Sequence, residues 1–171
     1  MGLDKMPEPW LRGTLQEVPA VQRAVLHALE LAEEDVKLWC AGLTDKQLNA
    51  GPCGLPSVAF QLRHIARSLD RLPTYAEGRS LSNEQLAALK EESTVDAIGD
   101  DVFSELQGAI RIGATRIRAL GDSALEQVRN VGRRQLPTTV GGLLVHVADH
   151  TQRHVGQAIT TAKVVLAQAD T

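Results

Sequence analysis

Four long stretches of the chain repeat their apolar side chains at steps of three and four residues, which is the period of an amphipathic α-helix. They cover residues 18–41, 57–76, 94–120 and 138–166, the last beginning near Thr138 or Thr139. Aromatic residues make up only 3% of the chain. The core must therefore consist of Leu, Val, Ile and Ala, which suits packed helices better than a β-sandwich. The pattern predicts an all-α protein, and a four-helix bundle is its natural architecture.

The connections between these stretches carry shorter signals. "TDKQ" at residues 44–47 and "SNEQ" at residues 82–85 have the spacing of a capping box, so each predicts a short extra helix. "SALE" at residues 123–126 predicts one turn, whereas residues 50–57 and 130–139 are predicted to be loops. We expect residues 1–171 to form a single domain, with the first ten or so residues and the last few loosely held.

Charge and hydropathy exclude several classes of function. The formal net charge is −3 and no basic patch dominates, so nucleic acid is not an expected partner. There is no apolar run long enough for a membrane span. The N-terminus has no basic segment followed by an apolar one, so the cytoplasm is the expected location. Cys40 and Cys53 are not in a CxxC pair, and two reduced thiols fit that location.

The histidines are concentrated in one motif, "HVADHTQRHVGQ", which holds three of the five. Residues four apart on a helix are neighbours, whereas residues eight apart are separated by about 12 Å, so His146 and His154 cannot easily share one ion. The apolar face of the fourth stretch lies nearest to His154, then His150, and farthest from His146. The preferred pair is therefore His150 and His154, an HxxxH arrangement. The alternative is a polar helix edge that faces solvent or a partner subunit.

A third ligand would have to come from another helix. His27 and His64 are the remaining histidines, and both lie away from the apolar stripes of their own helices. Periodicity predicts that both are exposed and does not choose between them.

Two segments of the chain carry a family resemblance. "LRHIARSLDRL" in the second stretch and "VHVADHTQRHVGQ" in the fourth resemble the DinB-like (YfiT-like) superfamily, whose members are four-helix bundles with three histidines around one divalent metal. The resemblance spans residues 10–165 and implies that His64, His150 and His154 are the ligands. In the family, the histidine corresponding to His146 is usually not a main ligand. The chain departs from the family at Val155, where arginine is common.

A three-histidine site has open coordination positions, as catalytic metal sites do. Imidazole ligands suit zinc, nickel, iron and copper, so the ligand set does not name the ion; zinc or nickel is expected, with iron as a further option. Such an ion can lower the pKa of a bound water to about 7 and can hold a bound thiol as the thiolate.

Other side chains near the motifs are candidates for supporting roles. His146, Asp149 and Gln157 could contact the ligands, and Asp70 is a further acid that could orient a histidine. Arg63, Arg67 and Arg71 follow one another at four-residue steps beside His64 and could bind an anionic substrate. The alternative for the acids and arginines is a solvated face with local ion pairs.

The resemblance implies a homodimer that acts on a small molecule. Similar proteins include metal-dependent S-transferases of low-molecular-weight thiols and an isomerase that uses such a thiol as cofactor, so a thiol-dependent S-transferase is the favoured function. A metal-dependent hydrolase is the first alternative. The second is a non-enzymatic stress or interaction bundle, in which any metal is structural or acquired during purification.

Overall fold

The fold is a helical bundle with short extra helices in its connections, as the sequence predicts. The computed structural model describes residues 6–92 and 97–169. The long helices are α1 (Ala20–Cys40), α3 (Val58–Ala76), α5 (Gly99–Ala119) and α6 (Val140–Ala169), and the short ones are α2 (Asp45–Asn49) and α4 (Asn83–Lys90). Turns of 3-10 helix occupy Pro9–Leu11, Pro52–Gly54 and Asp122–Ala124, and two strands, β1 (Val128–Val131) and β2 (Leu136–Thr139), form a small antiparallel sheet.

Contacts between the long helices define their directions. Gln152 of α6 donates to the Ala28 carbonyl of α1, and Lys163 of α6 lies 4.1 Å from the ring centroid of Trp39, so α1 and α6 run parallel. Contacts between α6 and α3 run in the opposite sense, since Thr161 donates to the carbonyl of Pro56, just before α3. α5 begins beside α2 and ends beside the start of α1. The four long helices therefore run up, down, down and up.

The core lies between these four helices and contains aliphatic side chains. The predicted apolar face of α6 is confirmed, because all five of the residues that define it are at most 6% exposed: Val140, Val147, Ala158, Ala162 and Val165. Burying a side chain of this kind contributes about 1.5–3 kcal/mol for Val, Leu or Ile. Within the described residues, no helix is both long and apolar enough to cross a membrane.

The helix boundaries follow the predicted signals closely. Both capping boxes form, at the starts of α2 and α4, with each cap hydroxyl accepting from the third backbone N–H of its helix. Ser57 caps α3 in the same way by accepting from the backbone N–H of Phe60. Gly78, two residues after the end of α3, has a left-handed φ of +77° that suits glycine.

The predicted loop at residues 130–139 is wrong, because the structure forms a hairpin there. β1 pairs with β2 from Val128↔Thr139 to Val131↔Leu136, around a turn that begins with Gly132 at φ +70°. β-branched residues flank this glycine-containing turn, which is a hairpin signal that the helical reading of the chain passed over. The hairpin is attached to α3, since Arg129 Nε donates to the Ala76 carbonyl at 2.8 Å.

Some expectations concern residues outside the described ones. Thr94, the predicted start of the third long helix, lies there, and α5 begins instead at Gly99, whose backbone N–H donates to Asp45 of α2 at 2.9 Å. The chain ends that were expected to be loose include residues 1–5 and 170–171, which are also outside. Pro9–Leu11 within the N-terminal segment forms a turn of 3-10 helix.

Candidate metal centre

The antiparallel packing of α3 and α6 brings three histidines together. His64 Nε2 on α3 lies 3.1 Å from His150 Nε2 on α6, and the ring centroids of His64 and His154 are 4.4 Å apart. One ring nitrogen from each of the three histidines lies within 4.8 Å of the others. The structure therefore unites the residues that the family resemblance selects.

The prediction that His27 and His64 are exposed is wrong for both. His27 is only 6% exposed, and its Nε2 lies 3.1 Å from the hydroxyl of Thr14, in the segment that precedes α1. The side chain of His64 is 20% exposed because the ring of Phe60 stacks on it at 5.7 Å and Glu92 covers its other nitrogen. Both histidines are covered by segments outside their own helix, which helical periodicity does not describe.

Hydrogen bonds determine the tautomers of two of the clustered histidines. His64 Nδ1 lies 2.7 Å from Glu92 Oε2, and His154 Nδ1 lies 2.6 Å from Gln61 Oε1. Carboxylate and amide oxygens only accept, so each Nδ1 must carry the hydrogen. The lone pair of each ring therefore lies on Nε2, as in metal-ligating histidines whose other nitrogen donates to an oxygen.

Glu92 is itself held in place. Its side chain is 7% exposed, and its second oxygen, Oε1, accepts from Arg71 at 2.5 Å. Arg71 also donates to the hydroxyl of Ser68 at 3.1 Å. Arg71, Glu92 and His64 thus form a connected series in which a charged hydrogen bond fixes the carboxylate that orients the ring.

The electrostatics of the cluster favour neutral rings. Burial lowers the pKa of His150 to about 3, with a further contribution from the neighbouring His154 and His64. Burial also lowers the pKa of His154, and His64 adds to the effect. Both rings are therefore neutral near pH 7 and keep a lone pair for a ligand. His150 Nδ1 is buried and has no hydrogen-bond partner within the described part of the chain.

The residues expected to support the ligands are only partly in contact with them. The ring of His146 lies 5.4 Å from that of His150, and Gln157 is placed to form a hydrogen bond with His154. A supporting role for Asp149 stays a prediction, since this exposed carboxylate pairs with Arg153 at 2.6 Å and lies 3.6 Å from His146 Nδ1.

The partners of Asp70 within the described residues are not histidines. It pairs instead with Arg116 at 3.1 Å and accepts from Gln85 at 2.8 Å. Those contacts tie α3 to α5 and α4, away from the histidines.

The three arginines of α3 have internal partners. Arg67 donates to Glu105 at 3.1 Å and to the Ala88 carbonyl at 2.6 Å, and Arg63 lies 3.9 Å from the same glutamate. Arg71 contacts Glu92, as described. A substrate contact for Arg63, Arg67 or Arg71 stays a prediction.

Sequence reasoning missed the two residues that orient the ligands, Gln61 and Glu92. Gln61 precedes His64 by one helical turn, so an (i, i+3) relation was the available signal. Glu92 lies just beyond α4, and its position depends on how that connection folds back over α3.

The donor set fits a divalent transition-metal ion. Two imidazole nitrogens at about 2.1 Å from one tetrahedral ion are about 3.4 Å apart, close to the 3.1 Å between His64 and His150. Neutral nitrogen donors with oriented tautomers are the ligands that zinc, nickel and iron accept.

Comparison with known proteins agrees with this geometry. The profile of the DinB superfamily matches residues 28–158, which include α3 and the part of α6 that carries the histidines. The chain belongs to the DinB superfamily. Membership, together with the three-histidine cluster, is compatible with metal binding by this DinB protein.

A solved structure shares the fold of this DinB protein. The crystal structure of a conserved protein from Enterococcus faecalis aligns with a TM-score of 0.72 at 20% sequence identity. The alignment covers 86% of this chain and 98% of that one. At this identity the likeness concerns the fold alone. No curated protein matches the chain significantly.

Proposed function

We propose that this DinB protein holds one divalent metal ion, zinc or nickel before iron, on His64, His150 and His154, and that it is a thiol-dependent S-transferase. The observation that carries the proposal is the convergence of three imidazoles from two helices, two of them with their tautomers fixed by Glu92 and Gln61. Three protein ligands leave positions open for a reactant, which is the composition of a catalytic site.

The chain's own residues hold and orient the site. Glu92 retains the Nδ1 proton of His64, and Gln61 does the same for His154. Phe60 shields one face of the His64 ring from water. A bound divalent ion would supply Lewis acidity, which favours the deprotonated form of a thiol or water placed beside these rings.

The surroundings of the histidines favour a thiol over water as the nucleophile. Among the described residues, no carboxylate in contact with the three rings has a free oxygen, because Glu92 engages Arg71 with one and His64 with the other. Without a carboxylate base to remove a proton, the nucleophile must lose its proton near neutral pH without help from the protein. A thiol, with a pKa of about 8.5, does so far more readily than water. In the transfer, sulfur forms a bond to an electrophilic carbon, the thiol proton passes to solvent, and the leaving group departs with its electron pair.

Metal content tests the ligand assignment. Single replacement of His64, His150 or His154 by Ala should remove most of the metal measured by mass spectrometry on tag-free protein, because two imidazoles bind far more weakly than three. The matched control is His146→Ala on the same face of α6, which should keep close to one equivalent. A His64→Ala variant with a full, tightly bound equivalent would contradict the assignment.

Thiol dependence tests the reaction. Metal-loaded protein should be incubated with chlorodinitrobenzene and a panel of bacterial low-molecular-weight thiols, and chloride release and thioether formation should be followed. We expect product that requires both thiol and metal and is lost in His154→Ala but kept in His146→Ala. Ester or amide turnover that ignores added thiol would favour the hydrolase. Absence of turnover in both assays would favour the non-enzymatic bundle.

The same preparations test the proposed homodimer by light scattering.

A further inference from the structure

Apart from the histidine cluster, a pocket lies near the C-terminal end of α3, between two turns that each contain a Gly-Arg pair. It has a volume of about 430 Å³ and is bordered by Arg79, after the C-terminus of α3, and by Arg133, in the turn of the hairpin. Tyr75 in the last turn of α3 also lines it. Residues 64 and 75 are about 16 Å apart along the helix axis, at 1.5 Å per residue. The pocket is therefore separate from the histidine cluster.

The charged side chains that line this pocket, among the described residues, are all positive. Of the described residues that line it, three are arginines and none is acidic. The cleft between α3, α4 and α5 differs, because Arg67 and Arg71 there are accompanied by Asp70 and Glu105. A lining with positive charge alone creates a local potential that attracts anions, although the chain as a whole carries a net charge of −3.

Arg129 contributes a fixed charge that forms no ion pair with any described residue. Its guanidinium donates to three neutral oxygens, the carbonyls of Ala76 and Val128 and the side-chain oxygen of Gln127, at 2.8–2.9 Å. These bonds hold the half-buried side chain in one position but do not neutralise it. A guanidinium that is already oriented loses little conformational entropy when an anion binds.

The other two arginines differ in how far their charge is balanced. Arg133 is exposed and makes no ion pair within the described part of the chain. Arg79 pairs with Glu77, but Arg116 already contacts both oxygens of that carboxylate. Arg116 also pairs with Asp70, so the two carboxylates together balance Arg79 and Arg116, and the unbalanced positive charge of the pocket comes from its other two arginines.

The rest of the lining accommodates an organic group. Leu81, Leu86 and Val128 supply apolar surface, and Tyr75 supplies an aromatic ring. The Tyr75 hydroxyl makes no hydrogen bond within the described residues, so it can donate to a ligand. The volume of the pocket also exceeds what a single phosphate or carboxylate group would fill.

From this arrangement we propose that the pocket bounded by Arg79, Arg129 and Arg133 binds a small organic anion, in which a phosphate or carboxylate group meets the arginines and an apolar body lies against Tyr75. The geometry of a guanidinium matches both head groups through paired N–H donors. The site is independent of the metal and of the transfer reaction.

The test is a titration of the full-length protein with phenyl phosphate, followed by amide chemical shifts in NMR. Saturable shifts should be centred on Gly78, Asn130 and Gly132, and benzoate run in parallel identifies the preferred head group. Arg133→Ala should weaken binding about five- to tenfold through loss of a charge-assisted contact. The matched control is Arg134→Ala, which removes the same charge from the adjacent exposed residue that does not line the pocket, and should change the dissociation constant by less than about twofold.

Several outcomes would overturn the proposal. One is the absence of saturation by either anion up to about 10 mM, a concentration at which a site of even millimolar affinity is filled. Another is an equal loss of binding in Arg133→Ala and Arg134→Ala, which would indicate general attraction to a basic turn. Equal binding of neutral phenol, or shifts confined to the histidine cluster, would also refute it. Spectra of both variants without ligand establish that the fold is unchanged.

Discussion

Replacement of Glu92 by Gln tests whether the buried carboxylate supports the metal centre. The wild-type carboxylate accepts from His64 with one oxygen and from Arg71 with the other, at 2.7 Å and 2.5 Å. Glutamine has nearly the same shape but only one accepting oxygen, so its NH₂ group must face one of these two donors. Either His64 loses the bond that fixes its tautomer, or Arg71 loses its counter-charge.

The expected cost follows from the loss of one such contact. Removing the hydrogen-bond partner of a ligating histidine typically lowers metal affinity about 10–100-fold, or about 1.4–2.8 kcal/mol at 1.4 kcal/mol per factor of ten. The free energy of unfolding should also fall by about 1–3 kcal/mol, since the Arg71 side chain is only 12% exposed and its donors would be left poorly paired.

Metal affinity is measured by competition with a chromophoric chelator, and unfolding by urea denaturation of the metal-free protein. Glu105→Gln is the control, because Glu105 also pairs with an arginine of α3 but is 37% exposed and has no histidine partner among the residues that the structure describes. It should leave metal affinity within about twofold of wild type and cost at most about 1 kcal/mol of stability. If Glu92→Gln binds metal as tightly as wild type, the carboxylate is structural only and the reasoning fails.

Two further predictions concern side chains away from the histidines. Hydrogen bonds from Arg116, then from Arg79, lower the pKa of Glu77 from 4.5 to about 2, so its stabilising effect is present above pH 4.5 and is lost as pH falls towards 2. Glu77→Gln should therefore unfold about 1–2 kcal/mol more easily than wild type at pH 7, and the two proteins should converge near pH 2 in urea titrations. Burial raises the pKa of Cys40 to about 11, whereas Cys53 is exposed, so Ellman's reagent should label Cys53 rapidly in the native protein and Cys40 only after unfolding.

The long helices were predictable because their signals are local. A stripe at helical spacing and a capping box such as Thr44–Gln47 each act within a few residues, and both are found where the sequence placed them. The hairpin at β1 and β2 was missed although β-branched residues flank its turn, because strands of four residues give only a weak local pattern and Arg129 attaches them to α3 through a contact between residues far apart in sequence.

Local sequence patterns selected only two of the three histidines of the site. HxxxH spacing selects His150 and His154, but the choice of His64 over His27 required the family resemblance. Helical periodicity does not distinguish these two histidines, because the contacts that distinguish them come from other segments of the chain. Thr14 in the N-terminal segment covers His27, whereas His64 faces α6 and contacts His150.

The position of Arg71 beside His64 was predicted correctly, but the prediction did not include its partner within the chain. Its place on the same face of α3 as His64 suggested a contact with an anionic substrate, but the anion that it meets is Glu92 of the chain itself. A carboxylate as buried as this one is costly without a charged partner. Arg71 therefore supports the histidine cluster from a distance, since it stabilises the acceptor that fixes the tautomer of His64. This role of Arg71 needs no contact with a substrate.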